Sequence, residues 1–140
     1  MPTRFLAALG AALALLLALP AQAAGFGDPD IDVARRLLEV SLREDIPDTH
    51  PRLAQTREQL QRVAKASGQN ENAIAQICMR NARYAFEASR TDVRPLEVLE
   101  AAARFHKAGQ PLSETTQRYV ALRLQKLDHA GALTKMTGGR

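Results

Sequence analysis

Four arginines, Arg80, Arg83, Arg90 and Arg94, follow one another at steps of three, seven and four residues. On a helix such steps hold side chains to one strip, with the last beyond its exit. Each guanidinium offers a planar fork of N–H donors, so the edge suits a carboxylate-rich protein, an anionic glycan or phosphates. Glu87 stands four residues after Arg83 and three before Arg90 and can pair with either, which is also the pattern of an ordinary salt-laced surface. These four arginines are the candidate partner-contact residues.

Cys78 is the only cysteine, so the chain forms no internal disulfide and no thiolate zinc site. Its neighbours at one and two helical turns are apolar, which points to a buried thiol that behaves as a small hydrophobe, the alternatives being a disulfide between two chains or a reactive thiol. Cys–His chemistry would need His50, His106 or His129 brought beside it, and no signature surrounds it. No two histidines stand four apart, as helical zinc motifs require, and no metal site is expected. His106 falls on the inward side of its helix near the C-terminus, where a half-buried imidazole or a ligand contact would each fit. Asn81 shares the face of Cys78 and must find partners for its amide, either by capping a loop backbone or fixing helix register, or by lining a cavity. Tyr119, Leu122 and His129 suggest the edge of a contact patch. A Gly-rich phosphate loop, a nucleophile elbow and a diagnostic carboxylate pair are all missing from the sequence. No catalytic residue and no cofactor is therefore assigned, and an enzyme is not expected.

The elements that carry these residues read as helices, and nothing alternates with period two over the length of a strand. A first helix is expected from Asp30 to Glu44, with Ile31, Ala34, Leu37, Leu38, Ser41 and Leu42 inward and Asp28, Asp30 and Asp32 at the positive end of its dipole. A second starts at Pro51 and stops at Ser67-Gly68, with a narrow stripe of Leu53, Leu60, Val63 and Ala64. A third begins at Asn70 or Asn72 and ends at Ser89 or Arg90. Ile74, Ile77, Cys78, Tyr84, Ala85 and Ala88 make one apolar side, which Ala75, Met79, Ala82 and Phe86 widen past half the circumference, and this marks it as the central helix. A fourth is opened by Asp92, carries Pro95 in its first turn and is closed by Gly109. A fifth runs from an N-cap at Ser113 to Gly131 with Val120, Leu124 and Leu127 inward. Connections of two to six residues favour antiparallel neighbours. The expected fold is an all-α, compact antiparallel bundle of about five helices.

Ahead of that bundle stands a secretory signal. Residues 1–23 show a positively charged start at Arg4, an Ala/Leu-rich run from Phe5 to Leu19, a break at Pro20 and small residues at Ala21 and Ala23. The run spans only about 22 Å as a helix, short of the ~30 Å of a bilayer core. Cleavage after Ala23, with no stable membrane insertion afterwards, is the expected outcome. Residues 24–29 read as a flexible leader, 30–131 as a single helical domain and 132–140 as a flexible C-terminal tail.

Removing 23 of 140 residues leaves 117, enough for one domain whose core rests on Leu, Ile, Val and Ala, since there is no Trp. Residues 24–50 hold seven acids and three bases, whereas residues 51–140 hold fifteen bases and eight acids. A basic face toward an anionic partner follows from this asymmetry. Nucleic acid is excluded as the partner by export and by the lack of interleaved aromatics. The chain thus reads as an exported domain, periplasmic in a two-membrane bacterium and otherwise secreted, that binds a protein of the cell envelope or the medium as an adaptor, inhibitor or chaperone-like factor. The alternative is a binder of a small ligand or anionic envelope component, through an inter-helix pocket or the arginine edge.

Overall fold

The computed structural model describes residues 31–138, and the signal segment lies outside them. Six helices pack together, α1 (Val33–Leu42), α2 (Pro51–Ser67), α3 (Glu71–Ser89), α4 (Pro95–Phe105), α5 (Leu112–Leu124) and α6 (His129–Gly138). There is no strand among the described residues. None of these helices is long and apolar enough to cross a membrane.

Capping chemistry sets most boundaries. Asp32 accepts the backbone N–H of Arg35 and starts α1. The His50 ring nitrogen Nδ1 accepts the N–H of Arg52 ahead of α2. Asn70 accepts the N–H of Ala73 and starts α3. Each supplies an acceptor to one of the N–H groups that a helix start leaves without an intrahelical partner. Gly68 ends α2 in the left-handed conformation (φ 73°), which costs a residue without Cβ nothing. α4 opens at Arg94, not at Asp92. The Glu97 carboxylate turns back to accept the Arg94 N–H at 2.9 Å, and Pro95 takes the first helical position. Asp92 is instead drawn off to an ion pair with Arg43. α5 starts directly after Pro111, so Ser113 is already its second residue and is no cap.

The expected fifth helix is two. Lys126 adopts φ 69°, and Asp128 accepts the N–H of Gly131 at 2.7 Å to start a new helix. A Cβ on residue 131 would lie 2.9 Å from that carboxylate oxygen, so the cap calls for glycine there. The expected bundle of about five helices is therefore corrected to six. Residues 132–138, expected as a flexible tail, form most of α6, and Ala132, Leu133 and Met136 are buried. Three apolar side chains on two successive turns give this end a face to bury, which a tail does not have.

The central helix is α4 rather than α3. It touches all five other helices and buries Leu96, Val98, Leu99, Ala101 and Ala102 around its circumference. Its alanines let neighbours approach on both flanks. α3 buries Ile74, Ala75, Cys78, Ala82 and Ala85, but leaves Tyr84 57% and Phe86 50% exposed. The core joins Leu37, Leu38, Leu53, Leu60, Val63, Ile74, Leu99 and Tyr119. One polar link crosses it. The Ser41 hydroxyl donates to the Leu37 carbonyl and accepts the Leu96 N–H at 3.0 Å, so α1 satisfies the first turn of α4 from inside.

Candidate functional site

Two features could carry function. The larger is a groove of 720 Å³ between α3 and α5. Ile77, Arg80, Asn81 and Tyr84 form its α3 wall. Leu112, Thr116, Val120 and Leu124 form its α5 wall. Asn81 sits on the floor, where its amide donates to the Ile77 carbonyl at 2.9 Å and to the buried Thr116 hydroxyl at 3.4 Å. Thr116 in turn donates to the Ser113 carbonyl. The amide thus both fixes the register of α3 against α5 and lines the cavity, the two roles the sequence left open. Arg80 is the one charged residue of the lining, and among the described residues it pairs with no carboxylate. The groove offers apolar walls, a phenol at its lip and a single positive charge.

The structure divides the four candidate arginines. Arg83 pairs with Glu87 at 2.8 Å with both side chains well exposed, the geometry of a solvated helix surface. Arg90 closes α3 in the left-handed conformation, its guanidinium 5.0 Å from the centre of the Phe86 ring. Arg80 faces the groove. Arg94 precedes α4 and lines a separate polar cavity of 130 Å³.

The second feature is a chain of polar groups between α4, α5 and α6 that the sequence did not reveal. Arg123, only 8% exposed, donates through Nη1 to Glu97 and to the Tyr119 hydroxyl, both at 2.8 Å, and through Nη2 to the Asp92 carbonyl at 3.1 Å. The Tyr119 oxygen lies 2.7 Å from His129 Nδ1, and His129 Nε2 lies 2.8 Å from Glu100. One arrangement of protons satisfies every link. Glu100 as a carboxylate only accepts, so Nε2 carries the imidazole proton; Nδ1 is then the acceptor for the Tyr119 O–H, whose oxygen takes the Arg123 N–H. Burial raises the Tyr119 phenol above its ordinary range, and the Arg123 hydrogen bond lowers it by less. Burial alone would weaken the positive charge of Arg123, but the bonds to Tyr119 and Glu97 outweigh it and hold the proton more firmly than in water.

This chain is internal. Tyr119 is fully buried, so the contact patch expected from Tyr119, Leu122 and His129 does not form around it, and Leu122 is half-buried against the core. A carboxylate–imidazole–phenol row could move a proton in principle. Here the phenol end is closed by Arg123 and fully buried, so the Tyr119 hydroxyl presents no open face to a substrate. The signal for its burial was present: Thr116, Tyr119, Val120 and Arg123 follow the three-four-seven spacing of an inward stripe, once the polar members are counted as inward-facing.

Cys78 is 1% exposed, and burial pushes its thiol up to about 12. The thiolate is the reactive species, so this cysteine is inert in the folded chain. His106 closes α4 with both ring nitrogens buried and without a hydrogen-bond partner among the described residues. Also among these residues, no three His, Cys, Asp or Glu side chains gather as a metal site would require. Comparison with protein-family models, with curated proteins and with solved structures gives no match for this chain.

Proposed function

We propose that this protein is an exported binding module whose α3/α5 groove takes up a segment of a partner protein of the envelope or the medium. The segment carries an apolar side chain beside a carboxylate. The observation behind this reading is the pairing of an open apolar trough with Arg80, its only charged lining residue, unpaired among the described residues. Tyr84 stands at the lip, more than half exposed, an aromatic of the kind that anchors protein contacts. An apolar anchor would supply the affinity, and a carboxylate against Arg80 would fix register and speed association. Arg83, on the next turn, adds to the attraction although Glu87 offsets it. Such a module acts by occupancy, as an adaptor, inhibitor or chaperone-like factor.

Selection of peptides from a displayed library tests this. Bound peptides should share an Asp or Glu next to an aromatic or aliphatic residue. Ala121→Trp, which fills the groove from its exposed α5 wall, should abolish their binding. Arg80→Glu should weaken it about tenfold or more and flatten its salt dependence. Peptides that bind Ala121→Trp as well as the original protein would refute the groove. A groove that rejects all peptides but binds small organic anions in an Arg80-dependent way would favour the small-ligand alternative.

A further inference from the structure

We propose that a second site, apart from the α3/α5 groove, binds a phosphate or a terminal phosphoryl group between Arg52 and Arg94. The 130 Å³ cavity opens where the end of α1, the first turn of α2, the first half of α4 and the first residue of α6 meet. Its polar lining consists of Ser41, Arg52, Arg94, Glu97, Glu100 and His129. It shares no residue with the groove.

Accounting for each polar group isolates the two arginines. Glu97 accepts from Arg123 and from the Arg94 backbone N–H. Glu100 accepts from His129 at 2.8 Å and pairs with Arg104 at 3.1 Å. Asp92, close by in the chain, is taken by Arg43. The Ser41 hydroxyl donates to Leu37 and accepts from Leu96, and both ring nitrogens of His129 are engaged. Every carboxylate here already has its cation, while the guanidinium groups of Arg52 and Arg94 have no ion-pair partner among the described residues. Two positive charges with ten N–H donors between them therefore border one small cavity whose own carboxylates, Glu97 and Glu100, are already paired with other cations.

The backbone adds to this. Arg52 is the second residue of α2, and Arg94 immediately precedes α4, so two positive helix ends lie at the same cavity. Two planar forks match the oxygens of a doubly charged tetrahedral anion better than a single carboxylate, which one fork satisfies. The volume lies below the ~300 Å³ at which pockets for whole organic ligands begin. It admits a phosphoryl group, free or at the tip of a larger molecule that stays outside.

Titration with inorganic phosphate, followed by the backbone amide shifts of Ser41, Leu42 and His129 and referenced to chloride at equal ionic strength, tests the site. Saturable shifts are expected there. Arg52→Gln and Arg94→Gln should each weaken binding about tenfold or more. Arg62→Gln, an exposed arginine paired with Glu58, should leave it unchanged. Arg52→Lys and Arg94→Lys, which keep charge but lose the fork, should fall between. Both arginines are exposed and unpaired, so unchanged thermal unfolding of all variants is the accompanying control. Vesicles containing phosphatidic acid form a second arm. Retention on them that both Gln variants lose, without any response to inorganic phosphate, would assign the phosphoryl group to a lipid. Absence of saturable shifts together with absence of variant-sensitive vesicle binding would overturn the proposal, as would phosphate binding that survives both substitutions.

Discussion

Replacing Arg123 with methionine should be among the most damaging single changes in the chain, although it swaps one long side chain for another. The side chain is 9% accessible and serves three acceptors, the Asp92 carbonyl before α4, Glu97 within α4 and Tyr119 on its own helix. Methionine fills part of the volume but donates nothing. Glu97 would keep its bond to the Arg94 N–H but lose its cation, and the Asp92 carbonyl would lose a donor. Breaking a fully buried pair costs about 3–5 kcal/mol, and a hydrogen bond to a charged group contributes about 1.5–3 kcal/mol. Glu97 is 23% accessible, so water compensates it in part and the lower end applies. A loss of about 3 kcal/mol is expected. With a urea dependence of about 1.5 kcal/mol per molar, the unfolding midpoint should fall by about 2 M. The exposed Arg83–Glu87 pair provides the contrast: Arg83→Gln should cost under about 0.5 kcal/mol. A double-mutant cycle with Glu97→Gln should show coupling above about 1 kcal/mol. An Arg123→Met midpoint within about 0.5 M of the original, or no coupling to Glu97, would refute the view that this arginine knits α4 to α5.

Three further outcomes follow from burial and capping. Cys78 should react slowly with a polar thiol reagent in the folded protein and rapidly after denaturation, and rapid labelling of the native state would contradict its burial. Its thiol ordinarily titrates near 9.0 and in the fold near 12, so the folded state holds this proton more tightly. The associated stability is complete below pH 9 and is lost as pH rises toward 12, by at most ~4 kcal/mol. Burial of Tyr119 works in the same direction, so alkaline unfolding should be partly relieved in Cys78→Ala and not abolished. An alkaline profile identical in Cys78→Ala would count against the thiol's share. Asp128→Ala should remove the cap of α6, cost about 1 kcal/mol and speed amide exchange in residues 132–136 more than in α4. Uniform exchange across both helices would show that α6 is not separately anchored.

Helical class and the faces of α1 and α2 were legible in the sequence because they follow from local rules. Leu37, Leu38, Leu53, Leu60 and Val63 recur at helical spacing, and all five are buried. Pro51, Gly68 and Asn70 act through their own backbone or a side chain within three residues, so their caps and breaks can be read without knowing any neighbour. The Asp128 cap belongs to the same class of signal, but the apolar run through Leu124 and Leu127 concealed the break at Lys126. The thiol of Cys78 was legible as well, since one and two turns of apolar neighbours surround it wherever the helix packs.

Tertiary structure alone decided the rest. Which helix lies at the centre depends on packing on all sides, and the alanines of α4 look modest until five neighbours close on them. Tyr119 and His129 read as the edge of a surface patch, and their burial comes from each other and from Arg123 and Glu100, partners 4 to 29 positions away in the chain. Tertiary neighbours likewise split the arginine edge. Sequence spacing places Arg80, Arg83, Arg90 and Arg94 along one path, but the neighbours of each decide whether it meets a carboxylate, an aromatic ring, a groove or a cavity. Spacing along one helix determines which side chains share a face. What that face meets is a property of the other helices, because the free energy of a charge is set by the groups and solvent around it and not by its position in the chain.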